Sequence, residues 1–458
     1  MNWFPADTSV LPAMTAGGNT ARRDTWPEDL IGPVQKLPAC QELWVALSGG
    51  LDSSLLLHVV AAAYPRVRAL HINHQLQSNH DQTERACIDL CAGLGVELQV
   101  RRVNVATGAG SLEESARAAR YEVFREVLGD NDLLLMAHHA DDQAETVLFR
   151  LLRGTGVNGL AGMPVSRSLG RGHLYRPWLG VSRSRLEQVA REQGVSWAED
   201  PSNQSEVHDR NYLRHSVMPG LKQRWPGLLK RVAHSARACA ESETLSQRLA
   251  ELQWQSCGDD KGRIRLAPFS ALGRIERRNL VRWWIHGRGL PVPALSDWCS
   301  ALDQLLHAGS DRTPEIRGDG FCIRRYRDHL YLVPQVAIPV GPRPLLPGQV
   351  MEWGWWTLRL MPASQSATTE AACPEIRVST RQGGERIRFG SNLPSRSLKT
   401  WMQEQGVPPW ERAALPLVYE VSAAGEAWIA IGDLWCSEQY SGGAHAAGWR
   451  LIVERDCD

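Results

Sequence analysis

The sequence predicts an α/β protein whose first domain is a doubly wound parallel sheet, followed by a mainly helical domain and a small α+β C-terminal domain. Between residues 42 and 203, short apolar segments alternate with longer amphipathic ones, the pattern of parallel strands covered by helices on both faces. Residues 225–306 show continuous helical periodicity, and short alternating segments return beyond residue 348. A chain of 458 residues, 43% of them hydrophobic, is long enough to form several such domains.

Four strands and four helices are predicted in the first domain. Nearly continuous apolar segments predict the strands, at 43–47, 67–73, 98–105 and 133–137. Helical periodicity predicts the helices that alternate with them, at 53–63, 81–94, 111–128 and 141–153. Ser111 and Glu114 form a capping-box pattern where the third helix begins. The carboxyl ends of parallel strands lie at one edge of a sheet, so the loops at Ser48, His74 and His138 should meet there.

Changes of pattern also set the predicted domain limits. In the second domain, residues 321–333 should form a β-hairpin, and in the last domain Ser397–Gln405 should form a helix. A stretch rich in proline and glycine at 336–348 indicates a linker between these domains. The predicted segments are a flexible N-terminal extension at 1–38, the sheet domain at 39–224, the helical domain at 225–335, a linker region at 336–372 and the C-terminal domain at 373–458.

The composition argues against several classes of protein. No apolar run reaches the roughly 18 residues that a membrane-spanning helix needs, so no membrane association is expected. The ten cysteines are scattered without a CxxC pair, which argues against a zinc ribbon or an iron–sulfur centre and fits a cytoplasmic location. The net charge of +1 gives no overall attraction to nucleic acid. Only five of the 51 basic residues are lysines, and this bias makes the abundance of arginine weak evidence for RNA binding.

A phosphate-binding loop is predicted at "VALSGGLDSSLLL", residues 45–57, between the first strand and the first helix. Ser48, Gly49 and Gly50 allow backbone N–H groups to surround an anion. Ser53 and Ser54 add hydroxyls at a helix N-terminus, where the helix dipole favours negative charge. The GxxxxGK[ST] pattern is absent, so this is not the usual P-loop. The alternative is a plain connection between strand and helix.

Asp52 is the unusual residue of this loop, because a carboxylate repels phosphate unless a cation lies between them. Mg²⁺ binds through one or two carboxylates together with phosphate oxygens. Asp52 is therefore predicted to be a magnesium ligand.

A second group of polar residues follows the fourth strand, in "AHHADDQAET" at 137–146. Asp142 and Glu145 lie three residues apart and share a helix face, with His138 one turn before Asp142. Such a group can bind Mg²⁺ or transfer a proton. The alternative is a helix cap made by Asp141 or Asp142, with the other residues exposed to solvent.

Arg117 and Arg120, with Tyr121 beside them, form a third candidate group in "EESARAARYEVF" at 113–124. Arginines at this spacing can bind a phosphate or a nucleobase. The alternative is a surface ion pair between Glu113 and Arg117, which the pattern alone favours.

The motifs taken together are more specific than any one of them. "SGGLDSS" resembles the loop of the N-type ATP pyrophosphatases (the PP-loop superfamily, with an adenine nucleotide alpha hydrolase-like fold), which cleave ATP between its α and β phosphates. The whole ordered set resembles the tRNA(Ile)-lysidine synthetase family, densely over 42–220, loosely over 225–335 and well over 375–440. Trp178 departs from the pattern, because the family more often has leucine there. The set is "SGGLDSS", "HINHQLQ", "SARAARY", "HHADDQAET", "LLRGTGVNGLAGM", "RPWL", "EDPSN", "RNYLR", "RQGGERIR" and "LKTWMQEQGVPPWERAALPLVY".

The resemblance implies an enzyme that uses ATP and Mg²⁺ to join L-lysine to C2 of the wobble cytidine in tRNA(Ile) with a CAU anticodon. ATP adenylates the C2 oxygen and releases pyrophosphate, and the lysine ε-amine then displaces AMP. The product, lysidine, changes the codon and amino-acid identity of the tRNA from methionine to isoleucine. In this interpretation 39–224 is the catalytic ATP-binding domain, and 225–335 and 373–458 bind the tRNA.

The resemblance and the residues together assign roles in this reaction. The ATP phosphates are assigned to Ser48, Gly49, Gly50, Leu51, Asp52, Ser53 and Ser54. The catalytic residues are expected to be Asp52, Arg117, His138, Asp142, Arg210 and Arg214, of which Asp52 and Asp142 would hold the metal. Candidates for binding the substrate lysine are Asp141 and Glu145.

Two basic groups are candidates for binding tRNA. Arg274, Arg278 and Arg282 lie four residues apart and form one stripe on a predicted helix, although a solvated face is the alternative. Arg386, Arg388 and Lys399 are assigned in the C-terminal domain on the resemblance alone.

Other functions remain open at this stage. A tRNA thiolase would also adenylate a base, but it would need sulfur-carrying cysteines, and only Cys87 and Cys91 lie close in sequence. A tRNA-binding module without catalysis would not need Asp52, Arg117 and Asp142 together. The sequence leaves undecided whether the chain forms a homodimer.

Overall fold

The fold is described from a computed structural model, in which the chain forms two compact units, Met1–Leu245 and Ser246–Asp458. The finer domain limits expected from the sequence stay predictions. The structure describes residues 26–76, 79–104, 112–198, 209–295, 297–307, 314–362, 374–389, 394–423, 425–441 and 448–455.

A six-stranded sheet is the centre of the first unit, with the order β3-β2-β1-β4-β6-β5. All neighbouring strands are parallel except β5, which is antiparallel to β6 at the edge. Residues of β1 and β4 are buried because helices cover both faces, which confirms the predicted doubly wound sheet. The strands are β1 (Leu43–Ala46), β2 (Arg68–Asn73), β3 (Glu97–Arg102), β4 (Leu133–Leu135), β5 (Ser166–Leu169) and β6 (Gly172–Tyr175).

The four predicted helices of this unit lie within two residues of their expected bounds. The predicted cap at Ser111 lies outside the described residues. A short π-helix, Leu213–Val217, lies between the helices Asp209–Tyr212 and Met218–Arg224. The helices are α1 (Glu28–Gln35), α2 (Leu51–Ala63), α3 (His80–Leu94), α4 (Leu112–Val127), α5 (Ala140–Leu152), α6 (Val157–Leu160), α7 (Arg183–Glu192), α8 (Asp209–Tyr212), α9 (Met218–Arg224) and α10 (Leu228–Cys257).

The predicted N-terminal extension needs a correction within 1–38. Residues 1–25 lie outside the described part of the chain, but α1 is a packed helix and not a loose segment. Its Leu30, Ile31 and Val34 are fully or almost fully buried in the core beside α2, because they lie on one helix face. Trp178, also fully buried, donates from its indole N–H to the Leu30 carbonyl (3.0 Å).

The strand order places the candidate residues. The chain moves outward from β1 to β2 and β3 and then returns to the other side of β1 with β4. Ligands of doubly wound sheets bind in the crevice at such a reversal, outside the carboxyl ends of the strands. The loop at Ser48 follows β1 and the loop at His138 follows β4, so both meet at this crevice.

The second unit begins with a helical region that also contains a four-stranded sheet, ordered β7-β10-β9-β8. The predicted hairpin at 321–333 is formed by β9 and β10, which pair antiparallel. The elements are β7 (Ile264–Arg265), α11 (Leu266–Ala271), α12 (Arg274–Gly287), α13 (Trp298–His307), β8 (Glu315–Arg317), β9 (Phe321–Tyr326) and β10 (His329–Pro334).

The remainder of this unit is built from antiparallel strands and two short helices. Its sheets are ordered β11-β14-β17-β18-β19, β12-β13-β20 and β15-β16. The elements are β11 (Arg343–Pro344), β12 (Val350–Trp353), β13 (Trp356–Pro362), β14 (Glu375–Ser379), β15 (Arg386–Ile387), β16 (Arg396–Ser397), α14 (Leu398–Glu404), α15 (Pro409–Ala414), β17 (Leu417–Ser422), β18 (Gly425–Ile431), β19 (Trp435–Cys436) and β20 (Trp449–Arg455).

The linker predicted at 336–372 also needs a correction. Its described residues include β11, β12 and β13, and β13 pairs along its full length with β20. Trp353 and Trp356 are fully buried in the C-terminal core, because the alternating apolar pattern of this stretch outweighs its prolines and glycines. No described helix is long and apolar enough to cross a membrane.

Candidate active site

The loop after β1 has the geometry of an anion site. Gly49 adopts a φ of +85°, and a Cβ there would lie 2.8 Å from Thr83 Cγ2, so glycine is required. The Ser48 hydroxyl lies 3.0 Å from the Ser53 hydroxyl, which also accepts from the Ser48 N–H (3.1 Å). These bonds fix the loop at the start of α2, whose first N–H groups lack helical acceptors.

Asp52 is positioned in the first turn of α2 as a cation ligand would be. Its Oδ1 is buried and has no hydrogen-bond partner in the described part of the chain. Its Oδ2 lies 3.5 Å from Arg183 Nη1 and 3.8 Å from His139 Nε2. Burial raises the pKa of Asp52, against the opposing charges of His139 and Arg183. A Mg²⁺ ion at the free oxygen would offset this burial, so the residues present fit the metal.

His139 begins α5 and connects the loop with the acidic group. Its Nδ1 accepts from the Asp142 N–H (3.3 Å), while Asp142 Oδ2 accepts from the His139 N–H (3.1 Å). His139 Nε2 lies 3.3 Å from Asp142 Oδ2, and its side chain is 2% exposed. Asp142, a candidate site residue, is therefore also part of the cap of α5. Sequence analysis missed His139, although the adjacent pair with His138 after a strand was a signal for it.

Asp142 and Glu145 share one helix face, as predicted, and two arginines neutralise them. Arg214 donates to Asp142 Oδ1 (2.9 Å) and to both oxygens of Glu145 (2.8 Å each). Arg210 lies 3.7 Å from Asp142 Oδ1 and 3.6 Å from Glu145 Oε2. Burial acts to lower the pKa of Arg214, but its bonds to Glu145 and the charge of Asp142 raise it overall. Burial likewise acts to raise the pKa of Asp142, but His139 and Arg214 lower it overall, so Asp142 is ionised.

Asp141, the other lysine candidate, also has internal partners. It forms an ion pair with Lys222 on α9, and its Oδ2 accepts from the Arg183 N–H (2.8 Å). Burial opposes ionisation, but these hydrogen bonds and the charge of Lys222 lower its pKa overall. Both candidate acids thus already face a cation, Lys222 at Asp141 and Arg214 at Glu145. Sequence analysis missed Lys222, one of only five lysines in the chain.

His138 is held by Arg176, whose Nε donates to His138 Nδ1 (3.2 Å). Burial lowers the pKa of His138 to about 3, so the ring is neutral at physiological pH. Because Nδ1 accepts, the ring proton is on Nε2. Arg176 follows the end of β6 in "RPWL", and its place after a strand is the one feature of the sequence that points to it.

Arg117 forms no ion pair with a described carboxylate of the site. It is exposed, its guanidinium carbon lies 4.9 Å from the Tyr121 ring centroid, and its Nη2 donates to the Tyr121 hydroxyl (3.4 Å). The alternative ion pair with Glu113 lies outside the described side chains, as does the motif "EDPSN".

The tRNA-binding candidates of the second unit differ in their surroundings. Arg274 is paired with Asp303 (2.6 Å), whereas Arg278 and Arg282 are exposed and line a cavity of about 370 Å³ with Trp298. Arg386 donates to the Ser395 carbonyl (2.7 Å). Arg388 and Lys399 are exposed and have no hydrogen-bond or ion-pair partner among the described residues.

Three family profiles match the chain along most of its length. The PP-loop domain profile matches residues 29–221, the TilS substrate binding domain profile residues 264–331 and the TilS substrate C-terminal domain profile residues 376–453. A tRNA(Ile)-lysidine synthase from Alkalilimnicola ehrlichii is 38% identical over 449 residues, covering 93% of this chain and 97% of that protein. The chain belongs to the tRNA(Ile)-lysidine synthase family.

Other members of the tRNA(Ile)-lysidine synthase family match at a similar level. The protein from Pseudomonas aeruginosa is 39% identical over 399 residues, covering 82% of this chain and 86% of that protein. The protein from Pseudomonas putida is 40% identical over 418 residues, covering 85% and 92%. The family resemblance deduced from the ordered motifs is thus confirmed, and PP-loop membership assigns ATP to this domain.

Proposed function

We propose that this enzyme ligates L-lysine to C2 of the wobble cytidine of tRNA(Ile) with a CAU anticodon, using ATP and releasing AMP and pyrophosphate. The observation that supports this most directly is the continuity of the site. Asp52 of the phosphate loop lies 3.8 Å from His139, which lies 3.3 Å from Asp142 of the acidic group. Nucleotide activation and a second reaction at the activated base therefore have adjacent groups.

In the first step the C2 oxygen of cytidine attacks the α-phosphate of ATP, a P–O bond forms and pyrophosphate leaves. The chemistry needs this step because a carbonyl oxygen is a poor leaving group until it becomes a phosphoester. The phosphate loop and the first turn of α2 would hold the phosphates, through Ser48–Ser54. Arg117, exposed and without a carboxylate partner among the described side chains, would offset negative charge that develops on the α-phosphate.

Asp52 would hold Mg²⁺ through its unpartnered oxygen, with Asp142 as the second candidate ligand. When bound, the ion neutralises phosphate charge and orients the departing pyrophosphate. Asp142 has both oxygens within reach of Arg214 and His139, so its part in metal binding requires that one of these contacts opens.

In the second step the lysine ε-amine forms a C–N bond to C2, AMP leaves with the C2 oxygen and the amine loses a proton. Asp142 is the better proton acceptor, because it is ionised while His138 keeps its proton on Nε2 and can donate to the base or the oxygen. Arg210 and Arg214 would hold Asp142 and Glu145 in place on one helix face.

The lysine ammonium would bind near Asp141 or Glu145. Because each acid already faces a cation, the substrate amine must share or displace Lys222 or Arg214. The variants Asp141→Asn and Glu145→Gln distinguish these two acids. Only replacement of the acid that binds the ammonium should raise KM for lysine while KM for ATP is unchanged.

The rival thiolase hypothesis loses support from the two cysteines nearest in sequence. Cys87 and Cys91 are almost fully buried, and burial raises their pKa values to about 12 and about 11, so neither is a reactive thiolate. The described cysteines are all free thiols, in keeping with a cytoplasmic enzyme.

The deciding experiment is transfer of radiolabelled lysine to unmodified tRNA(Ile) with a CAU anticodon, in ATP and Mg²⁺, beside a methionine tRNA control. Label on the isoleucine tRNA alone is the expected result. AMP and pyrophosphate release without label would keep the adenylation and reject lysine as the second substrate. A folded protein that binds tRNA without cleaving ATP would be a binding module. Sedimentation of the same preparation tests whether the active species is a homodimer.

A further inference from the structure

A group of arginines beside the catalytic crevice has no carboxylate partner among the residues that the structure describes. Arg117 on α4 and Arg167 on β5 place their guanidinium carbons 4.9 Å and 4.8 Å from the centroid of the same Tyr121 ring. Arg150 and Arg176 lie close to them and are more buried. We call these four arginines with Tyr121 the guanidinium patch.

The charge of the guanidinium patch is not neutralised within the described residues. None of its four arginines forms an ion pair with a described carboxylate. Elsewhere in this unit, by contrast, Arg102 pairs with Glu84 and Arg185 with Asp29. The patch thus concentrates four positive charges on one side of the sheet.

Arg176 is the most buried arginine of the guanidinium patch, with 2% of the residue exposed. Its hydrogen-bond partners include the neutral His138 ring (3.2 Å), the Pro164 carbonyl (2.8 Å) and the Tyr121 side chain, and none of these is a carboxylate. Arg150 similarly donates to the carbonyls of Gly159 (3.0 Å) and Gly162 (2.8 Å). A buried guanidinium with only neutral partners is costly unless an anion completes its surroundings.

The electrostatic surroundings of Tyr121 agree with this. Tyr121 is 5% exposed, and its burial acts to raise the pKa. The surrounding guanidiniums of Arg117, Arg167 and Arg176 outweigh burial and lower the pKa overall. A positive potential that lowers the pKa of a buried phenol would attract a phosphate more strongly, because phosphate is ionised at neutral pH.

We propose that Arg167, the exposed arginine of the guanidinium patch on β5, binds a backbone phosphate of the substrate RNA beside the nucleotide being modified, while Arg117 keeps its role at the α-phosphate of ATP. The contact from Arg176 to His138 connects the patch with the site proposed for the cytidine. Both guanidiniums lie against the same Tyr121 ring, and a planar guanidinium can make bidentate contacts with a phosphate. This inference rests on the proposed function for the identity of the RNA.

The test compares Arg167→Ala with Arg171→Ala in tRNA-binding titrations at several salt concentrations, without ATP or lysine. Arg171 is the matched control, because it lies in the turn of the same β5–β6 hairpin and faces Asp130 (3.8 Å). Arg167→Ala should raise the Kd for tRNA about 3- to 10-fold and reduce the slope of log Kd against log salt by about 1. Arg171→Ala should stay within about twofold of the unaltered protein, as expected for a weak exposed contact.

Two additional variants and one kinetic measurement complete the test. Arg167→Lys should recover part of the affinity, and Arg167→Glu should lose more than alanine does, with thermal unfolding checked for each. KM for ATP should be unchanged in the Arg167 variants. A rise in KM for ATP with unaltered tRNA binding would assign Arg167 to the triphosphate and overturn the proposal. Equal Kd values for Arg167→Ala and the unaltered protein would also overturn it. Because binding is measured without lysine, failure of lysine transfer would count against the proposed function alone.

Discussion

At Asp52, one carboxylate has two oxygens in different surroundings. Oδ2 faces Arg183 and His139, whereas Oδ1 is buried and has no hydrogen-bond partner among the described residues. A protein seldom leaves a buried carboxylate oxygen unpaired, because the desolvation is not repaid. Asp52 Oδ1 is therefore available to bind a metal ion, and its desolvation is unfavourable when no ion is bound.

Replacement of Asp52 with Asn should therefore abolish ATP-dependent pyrophosphate release and leave tRNA binding within about twofold. The amide keeps the size of the side chain but cannot hold Mg²⁺ with a full negative charge. Pyrophosphate release and tRNA binding are measured on one preparation, with Asp130→Asn as an exposed control. Retained turnover in Asp52→Asn would contradict the metal-ligand assignment.

Glu84 is a residue whose charge should stabilise the fold and not the chemistry. It is 7% exposed, accepts from Asn73 (2.7 Å) and pairs with Arg102 (2.6 Å). The hydrogen bonds from Arg102 and Asn73 lower the pKa of Glu84 to about 2. Since the folded-state pKa is lower than the unfolded one, the carboxylate stabilises the fold above the unfolded value, and that contribution is lost as the pH falls towards 2.

The substitution Glu84→Gln should lower the free energy of unfolding by about 1–2 kcal/mol at pH 7. The difference from the unaltered protein should shrink as the pH falls from about 5 towards 2, measured by denaturant unfolding. Glu122→Gln is the control, because its surface pair with Arg125 should contribute little at any pH. A difference that does not vary with pH would show that Glu84 stabilises the fold by packing alone.

The sequence could locate single residues only where their neighbours in the chain carried the signal. Asp52, His138 and Asp142 lie in the segments that follow two predicted strands, so strand prediction was enough to place them at one edge of the sheet. Lys222 and Arg176 were missed as site residues, since their partners Asp141 and His138 lie 81 and 38 positions away. Such pairs depend on how α9 and β6 pack, and local patterns do not specify that.

At the scale of elements, buried parallel strands were predicted well because they are continuous apolar segments between amphipathic helices. The β5–β6 hairpin was missed, because β5 is an antiparallel edge strand with three exposed residues and little apolar pattern. Helix α1 was missed because it is short and contains Pro33. The guanidinium patch depends on this hairpin through Arg167, so sequence alone could not have placed it.

Helix α12 carries an arginine that is ion-paired and arginines that are not, and the two kinds should differ in their effect on tRNA binding. Arg274 is bonded to Asp303, whereas Arg278 and Arg282 are exposed and have no carboxylate partner among the described residues. The double variant Arg278→Ala/Arg282→Ala should weaken tRNA binding and reduce the salt slope by about 2. Arg274→Ala should change both by much less, because its charge is already neutralised.

The comparison of these variants is made by filter binding between about 50 and 200 mM salt, the range over which counterion release changes affinity most. Thermal unfolding of each variant confirms that the helix is intact. Arg274→Ala could weaken tRNA binding as much as the double variant does. That result would indicate that the arginines of α12 act through the stability of the helix and not through phosphate contacts.

Because the net charge of the chain is only +1, tRNA binding should depend on local groups of arginines that have no carboxylate partner among the described residues. Such groups occur in both compact units: the guanidinium patch in Met1–Leu245, and Arg278 with Arg282 in Ser246–Asp458. If one tRNA contacts both groups independently, their contributions to binding free energy should add.

A variant that combines Arg167→Ala with Arg278→Ala/Arg282→Ala should therefore weaken tRNA binding by the product of the separate fold losses, within about twofold. Its salt slope should fall by about 3, since each contact releases about one counterion. The matched control combines Arg171→Ala with Arg274→Ala, which removes the same kind of charge from the same two units at paired positions. If the Kd of the combined variant is no higher than the Kd of its weaker-binding parent variant, the two groups serve alternative binding modes. One tRNA then does not contact both groups at once.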